Sequence, residues 1–544
     1  MRTKPNLRTL TLALLCIVLS ALPGMVLGRT VYVDAATSGR QDGSSWAAAF
    51  RYLEDALAIA SAGDEIRMAQ GVYHAARIAP GTQITTGHIE ATFRLVDGVV
   101  ILGGFAGPGG ADPDLRDPAR FATILNGDLG GNDDDLNNER RWYDNTKHII
   151  TAKNVGSDTV LDGLTITHGY AYGDHGGGMY NEGGSPLVRD CTFHNNGAGD
   201  GGVYNNKGNL RIEHCRFIHN WADDHSGALR NYEGSLQVIA SEFVENESVD
   251  DAAAVHNDQG QAVLFGCLFR ANRGSDGPGA TWNSGRLSLL YCTFVDNDGG
   301  EDVGALRCTG GSAVIANCLF CRNTGEGVGA MFVEDASVSL SQCTFYSNVA
   351  TDGRAGGIYY PATYCPTATF CVPSGTFTVR SCIFWANRAL DDDGTDRVMG
   401  YAAQINVESN AATVEYNCIE GWTPEHGGTG NLSVDPLFVA PDQNDFHLKS
   451  QAGRWDTVLQ AWVPDDVTSP CIDAGDPLVA VEHELFPNGG IVNMGAYGGT
   501  CEASKSWFGT EPSATLYAAD LNGDGRVDAE DYRLAALRWP EVDQ

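Results

Sequence analysis

Basic side chains are scarce: 35 Lys and Arg stand against 69 Asp and Glu, for a formal net charge of −34 over 544 residues. That deficit argues against nucleic acid as a partner, because Lys and Arg make the phosphate contacts that carry such binding. It favours divalent cations and solubility outside the cell. Long apolar runs are missing as well. Beyond residue 28 no stretch approaches the ~20 apolar residues of a membrane-spanning helix. Residues 1–28, with Arg2, Lys4 and Arg8 ahead of LTLALLCIVLSAL, read as a secretory signal, and Cys16 lacks the flanking small residue of a lipoprotein signal. The expectation is a secreted or extracellular protein, free or held at the cell surface, with no transmembrane helix in the mature chain.

Glycine, by contrast, is abundant, at 67 residues, and one phrase recurs. C-x-F-x-x-N begins at Cys191, Cys215, Cys267, Cys292, Cys318, Cys343 and Cys382, with a Ser copy at Ser241 and a degraded copy at Cys418. Successive copies lie 24, 26, 26, 25, 26 and 25 residues apart, then 39 and 36. A period of this size marks a stacked solenoid rather than a set of separate domains. Apolar pairs such as Leu210 and Ile212, or Leu236 and Val238, precede the Cys, and Cys with Phe forms a second pair. Each pair has the two-residue period of a strand, and the three-residue step between pairs predicts a corner. Upstream lies a third element, GGMYN, GGVYN, GALRN, AAVHN, GALRC and GAMFV, with Met179, Val203, Leu229, Val255, Leu306 and Met331 at its apolar position. Three short strands per ~25 residues leave no room for a helix. The expectation is one all-β coil per repeat, stacked at ~4.8 Å so that Phe, thiol and Asn each form rows.

The residue after each of those apolar positions points outward in such a coil. It reads Tyr180, Tyr204, Arg230, His256, Trp282 with a one-residue slip, Arg307 and Phe332. Stacking predicts an exposed ridge of aromatic and basic side chains, a surface suited to sugar rings. Beside it WADDHSGALR places Asp223, Asp224, His225 and Arg230 near His256, a candidate acid–base cluster for glycoside hydrolysis or for proton abstraction in a lyase. Of the remaining cysteines, Cys365 with Cys371 and Cys471 with Cys501 are disulfide candidates.

Residues 520–531, DLNGDGRVDAED, carry a calcium pattern. Asp520, Asn522, Asp524, Arg526 through its carbonyl, Asp528 and Asp531 fall at the ligand positions of a twelve-residue loop, with Gly525 at the sharp turn. Ca2+ is therefore the expected cofactor of the C-terminal segment.

The paired GGAI-like and F-x-x-N tetrads resemble the repeats of chlamydial polymorphic outer-membrane proteins. The wider architecture resembles the right-handed parallel β-helix of the pectin-lyase-like superfamily, and WAAAFRYLEDALAIASAGDEIRMAQGVYH resembles the helix and first coils that open such proteins. There Phe50, Leu53, Leu57 and Ile59 supply one apolar face. SPCIDAGDP through NMGAYGGTCEAS resembles the closing segment of secreted bacterial β-helices. Right-handedness follows from this resemblance and from the general preference of parallel crossovers. The implied organisation is a signal at 1–28 and a β-helix at 29–505. Within it the cap and first coils span 29–90, the regular repeats 160–420 and the final coils and cap 421–505. A linker at 506–514 leads to a calcium segment at 515–544. That last segment resembles a dockerin repeat, implying a cohesin-like partner, although dockerins carry two such loops and this chain has one. No motif matches the catalytic patterns of pectate lyases, pectin methylesterases or polygalacturonases. The resemblances imply a protein that binds, and in the enzyme version degrades, a polysaccharide or cell-surface glycan. The alternative is a non-catalytic, adhesin-like or structural surface protein, though no C-terminal barrel follows for an autotransporter.

Overall fold

A single backbone device sets the coil. The residue before the Cys of each motif is left-handed: Asp190, His214, Ala240, Tyr291, Asn317, Gln342 and Ser381 have φ between 47° and 57°. A second left-handed residue, from Asn195 and His219 through Ala386, lies between Phe and Asn with φ of 51–58°. One such residue turns the chain without a loop and breaks side-chain alternation, which is the corner that the three-residue step predicts. It costs a non-glycine residue about 1–2 kcal/mol, so the stacked rows must over-determine it.

The computed structural model describes residues 28–38, 41–77, 83–133, 139–361, 375–391, 393–408, 412–481 and 483–506. Its strands form a parallel β-helix. A first sheet of 13 strands runs from Thr30–Val33 to Ala412–Glu415, a second of 12 from Gly71–Tyr73 to Cys418–Ile419, and a third of 11 from Phe93–Arg94 to Ile405–Val407. A typical coil is Asn209–Glu213, Arg216–Ile218, Trp221–Ala222 and Leu229–Tyr232. The third of these is unexpected. It belongs to a fourth sheet of five strands, Tyr170–His175 to Arg273–Gly274, inserted between the second and third sheets. The central coils therefore carry four strands rather than the expected three.

The rows form as expected. Phe193, Phe217, Phe243, Phe269, Phe294, Phe320, Phe345 and Phe384 stack with centroids 4.5–5.0 Å apart and planes within 9° of parallel. All are fully buried, each contributing about 2–3 kcal/mol of transfer free energy. The Asn of the motif is buried too. Asn220 Nδ2 donates to Asn246 Oδ1 at 3.0 Å and to the Phe193 carbonyl at 2.9 Å, and the pattern repeats from Asn196 to Asn387. A second ladder joins Asn181, Asn205, Asn231, Asn257 and Asn283 at 2.6–2.8 Å. Thiols of the Cys row are buried and donate to carbonyls, as from Cys382 to Arg380 at 3.2 Å.

Three expectations change. Cys471 is a buried thiol beside Cys418, so the bridge to Cys501 is not formed. The helix Leu53–Ile59 buries Leu53, Ala56 and Leu57 with Phe50 against the first coils, but Ile59 is 40% exposed and lies off that face. The segment after residue 421 does not only follow the last coil. Its later part lies along the second sheet, where Asn317 Nδ2 donates to the carbonyls of Ala496 and Gly498, Thr344 Oγ1 accepts from Ala496 N, and Ser381 Oγ accepts from Asp476 N. Residues 1–27 of the signal segment, the Cys365–Cys371 pair and the calcium loop with Asp520, Asn522, Asp524, Arg526, Asp528 and Asp531 lie outside the described residues. No helix among the described residues is long and apolar enough to cross a membrane.

Candidate functional site

Alternation along Leu229–Tyr232 sends Leu229 and Asn231 inward and Arg230 outward. Parallel register then aligns Tyr180, Tyr204, Arg230, His256, Trp282, Arg307 and Phe332 in one row, which Tyr359 continues. The predicted row exists, but it is not an exposed ridge. Tyr204, Arg230, His256 and Tyr359 are buried, and Tyr180, Trp282, Arg307 and Phe332 are half-buried. The cause is the fourth sheet. The turns that leave it, 223–228 and 249–254 among them, hydrogen-bond to one another coil by coil and fold against the row.

The end of strand Gly197–Asp200 and those turns contribute a second row, Asp200, His225 and Asp251, one side chain per coil. His225 Nδ1 lies 2.6 Å from Asp251 Oδ2, and its Nε2 lies 3.6 Å from Asp200 Oδ1. His256 Nδ1 reaches Asp251 Oδ2 at 3.1 Å, off the line that a hydrogen bond needs. Arg230 donates from Nη1 to Asp200 Oδ2 and from Nη2 to Asp258 Oδ2, both at 2.7 Å. His175 Nδ1 is 2.5 Å from Asp200 Oδ2, and its ring stacks on Tyr204 at 4.5 Å.

Of the residues predicted from sequence, His225, Arg230 and His256 are therefore brought together. Asp224 stands at the rim, 3.6 Å from His225 Nδ1 with its side chain 56% exposed, and Asp223 is exposed on the same turn. Asp200, Asp251, Asp258 and His175 were not singled out by sequence. The repeat itself points to two of them, since Asp200 and Asp251 lie 25 and 26 residues from His225.

Electrostatics follow from these contacts. The hydrogen bond to Asp251 raises the His225 imidazole above its ordinary value, against the opposing effect of burial. Burial works to raise the Asp251 carboxyl, yet the hydrogen bond from His225 and the charges of His256 and His225 hold it well below the usual carboxylate range. Asp200 is likewise pushed up by burial but lowered overall by His175, Arg230 and His225. Burial pushes the Tyr204 phenol up to about 12.

The rest of the row is paired. His256 stacks on Trp282 at 5.3 Å, and the Arg307 guanidinium lies 4.7 Å from the Trp282 ring and 5.4 Å from that of Phe332. Arg307 also donates to Asp302 at 2.7 Å.

An aromatic patch adjoins the cluster. Trp142 packs on Trp221 at 4.9 Å and on Tyr170 at 5.7 Å, and Tyr143 packs on Tyr172 at 5.4 Å. Tyr143 and Tyr172 are 52% and 59% exposed. Strand Tyr170–His175 runs from this patch to the cluster, as does the chain from Trp221 to His225. Gly197, between Tyr170 and Trp221 in the fourth sheet, admits the indole: a Cβ there would meet Trp221 Nε1 at 2.5 Å.

A comparison with curated proteins finds no match. A family model described as "Disaggregatase related" matches residues 348–475, the last coils and part of the segment beyond them. Among solved structures, a pectate lyase, Pel9A, is similar with a TM-score of 0.44 and 15% identity, over 87% of this chain and 97% of its own. A rhamnogalacturonan lyase gives a TM-score of 0.37 and 13% identity, over 76% and 91% respectively. Likeness at this level supplies no residue-by-residue correspondence.

Proposed function

We propose that this protein binds a polysaccharide on the flank where the fourth and third sheets meet. One observation carries the reading: an exposed aromatic patch and a His–Asp–Arg cluster occupy the same coils and are joined by strand Tyr170–His175. Aromatic faces offer large contact area at low entropic cost, and carboxylates and imidazoles offer acceptors and donors to sugar hydroxyls. A neutral glycan fits better than a polyanion. The chain carries a net charge of −34, and Arg230 and Arg307 already hold carboxylates.

Cleavage, hydrolytic or eliminative, is the narrower version and centres on the cluster. A non-catalytic, adhesin-like role is favoured by one contact set: Asp200 is 2% exposed and closed around Arg230 and His175. Affinity electrophoresis against a panel of neutral and acidic polysaccharides tests the binding, with product release followed as unsaturated ends in the ultraviolet and as reducing ends. Retardation by a neutral glycan is expected, weakened about tenfold in the Tyr143→Ala/Tyr172→Ala double variant, the ~1.4 kcal/mol equivalent of two lost stacking faces. Release that Asp251→Asn abolishes supports the enzyme version, and binding without release supports the adhesin-like one. No retardation by any member of the panel overturns the proposal.

A further inference from the structure

We propose that His225, Asp251 and His256 form a binding site for a divalent transition-metal cation, with zinc the best-suited ion. One ligand atom from each of the three lies within 4.8 Å of the others. Two imidazoles and one carboxylate are ligands of intermediate softness, which suit zinc and its late first-row neighbours. Calcium, which takes six to eight oxygens, is a poor match.

Two buried polar atoms point the same way. His256 is 6% exposed, yet its Nδ1 makes no aligned hydrogen bond although it lies 3.1 Å from Asp251 Oδ2. A nitrogen lone pair directed at a shared cation explains that geometry better than an N–H directed at the carboxylate. Asp200 is 2% exposed, and its Oδ1 is also unpartnered, 3.6 Å from His225 Nε2. With His225 Nδ1 on the metal, its Nε2–H faces that oxygen, the carboxylate–histidine–metal relay that fixes a ligand's tautomer and ring orientation. Arg230 and His175 hold Asp200 in place from the far side, and Trp282 stacks on the His256 ring. Three protein ligands leave further positions on the ion open to water or to a ligand oxygen, and half-exposed His225 keeps that side accessible.

The test uses the full chain, stripped with chelator, freed of it, and saturated with calcium so that the 520–531 loop does not compete. Calorimetric titration with zinc is expected to show one saturable site. His225→Gln, Asp251→Asn and His256→Ala are each expected to weaken it by more than about 100-fold, whereas His219→Ala, at an exposed corner after the second-sheet strand, leaves it unchanged. Cobalt titration provides a spectroscopic check: visible d–d bands appear with the wild type and not with His256→Ala. Circular dichroism establishes that each variant folds, and His225→Gln, at a half-exposed position, serves if a buried variant does not. Absence of a saturable zinc event, or an affinity unchanged in folded His225→Gln, overturns the proposal. No sugar enters the measurement, so the result is independent of the polysaccharide reading.

Discussion

At the scale of single residues, the buried amides decide whether a coil can stack. Asn272 Nδ2 donates to the Phe243 carbonyl and to Asn297 Oδ1, and its Oδ1 accepts from Asn246 N and Nδ2, all within 3.0 Å. Asn272→Ala strands several buried partners at once, and each unsatisfied group costs about 1–3 kcal/mol. The expected result is a loss of about 3 kcal/mol or more by denaturant titration, against no measurable loss for His219→Ala. Glu484 behaves differently. It is 3% exposed, and its Oε1 accepts from Asn493 N and Gly499 N while Oε2 has no hydrogen-bond partner. Burial raises its carboxyl from 4.5 to about 8. A raised carboxyl stabilises the fold fully below pH 4.5, and that contribution is lost as pH rises through about 8. Glu484→Gln should therefore raise Tm at pH 8 and leave it nearly unchanged at pH 4.5. Equal shifts at both pH values would contradict the assignment.

At the scale of elements, the strands that alternate were legible and those that do not were not. Leu210 with Ile212 and Cys215 with Phe217 announce their strands because every second side chain enters the core. The left-handed residue at His214 accounts for the step between them. The fourth sheet left no such signal, since Trp221–Ala222 and Arg273–Gly274 are two residues long and Gly197–Asp200 is largely glycine and alanine. That sheet is also why the outward row is covered where periodicity predicts exposure: strand periodicity gives direction but says nothing of a turn that folds over it. His225, Arg230 and His256 were found through the strand row. Asp200 and Asp251 carry no such signal, since Asp200 ends the glycine-rich strand Gly197–Asp200 and Asp251 lies in a turn, outside the alternating rows. The Phe row makes the packing testable. Phe269 stacks between Phe243 and Phe294 and is fully buried, so Phe269→Ala should cost about 3–5 kcal/mol. A loss under about 1 kcal/mol would mean that the rings do not form a continuous row.

At the scale of the whole molecule, the described residues form a stack of coils laced along one side, with the proposed binding surface along another. The C-terminal part of the described chain crosses successive coils where the first sheet turns into the second, through Asn317, Thr344, Arg380 and Ser381. An Asn317→Ala/Thr344→Val variant should expose the segment from 471 to 506 to limited proteolysis while the coils resist it. Simultaneous digestion of both would show that the segment is not a separate lacing.

On the opposite choice of flank, the aromatic patch and the His–Asp–Arg cluster share their coils, and the polysaccharide reading depends on their acting as one surface. Hydrogen exchange with and without an oligosaccharide of the retained glycan tests this most directly. Peptides spanning Tyr170–His175 and Trp221–His256 should gain protection together, with none gained on the first sheet. Protection confined to other coils, or no change at saturating sugar, would contradict it.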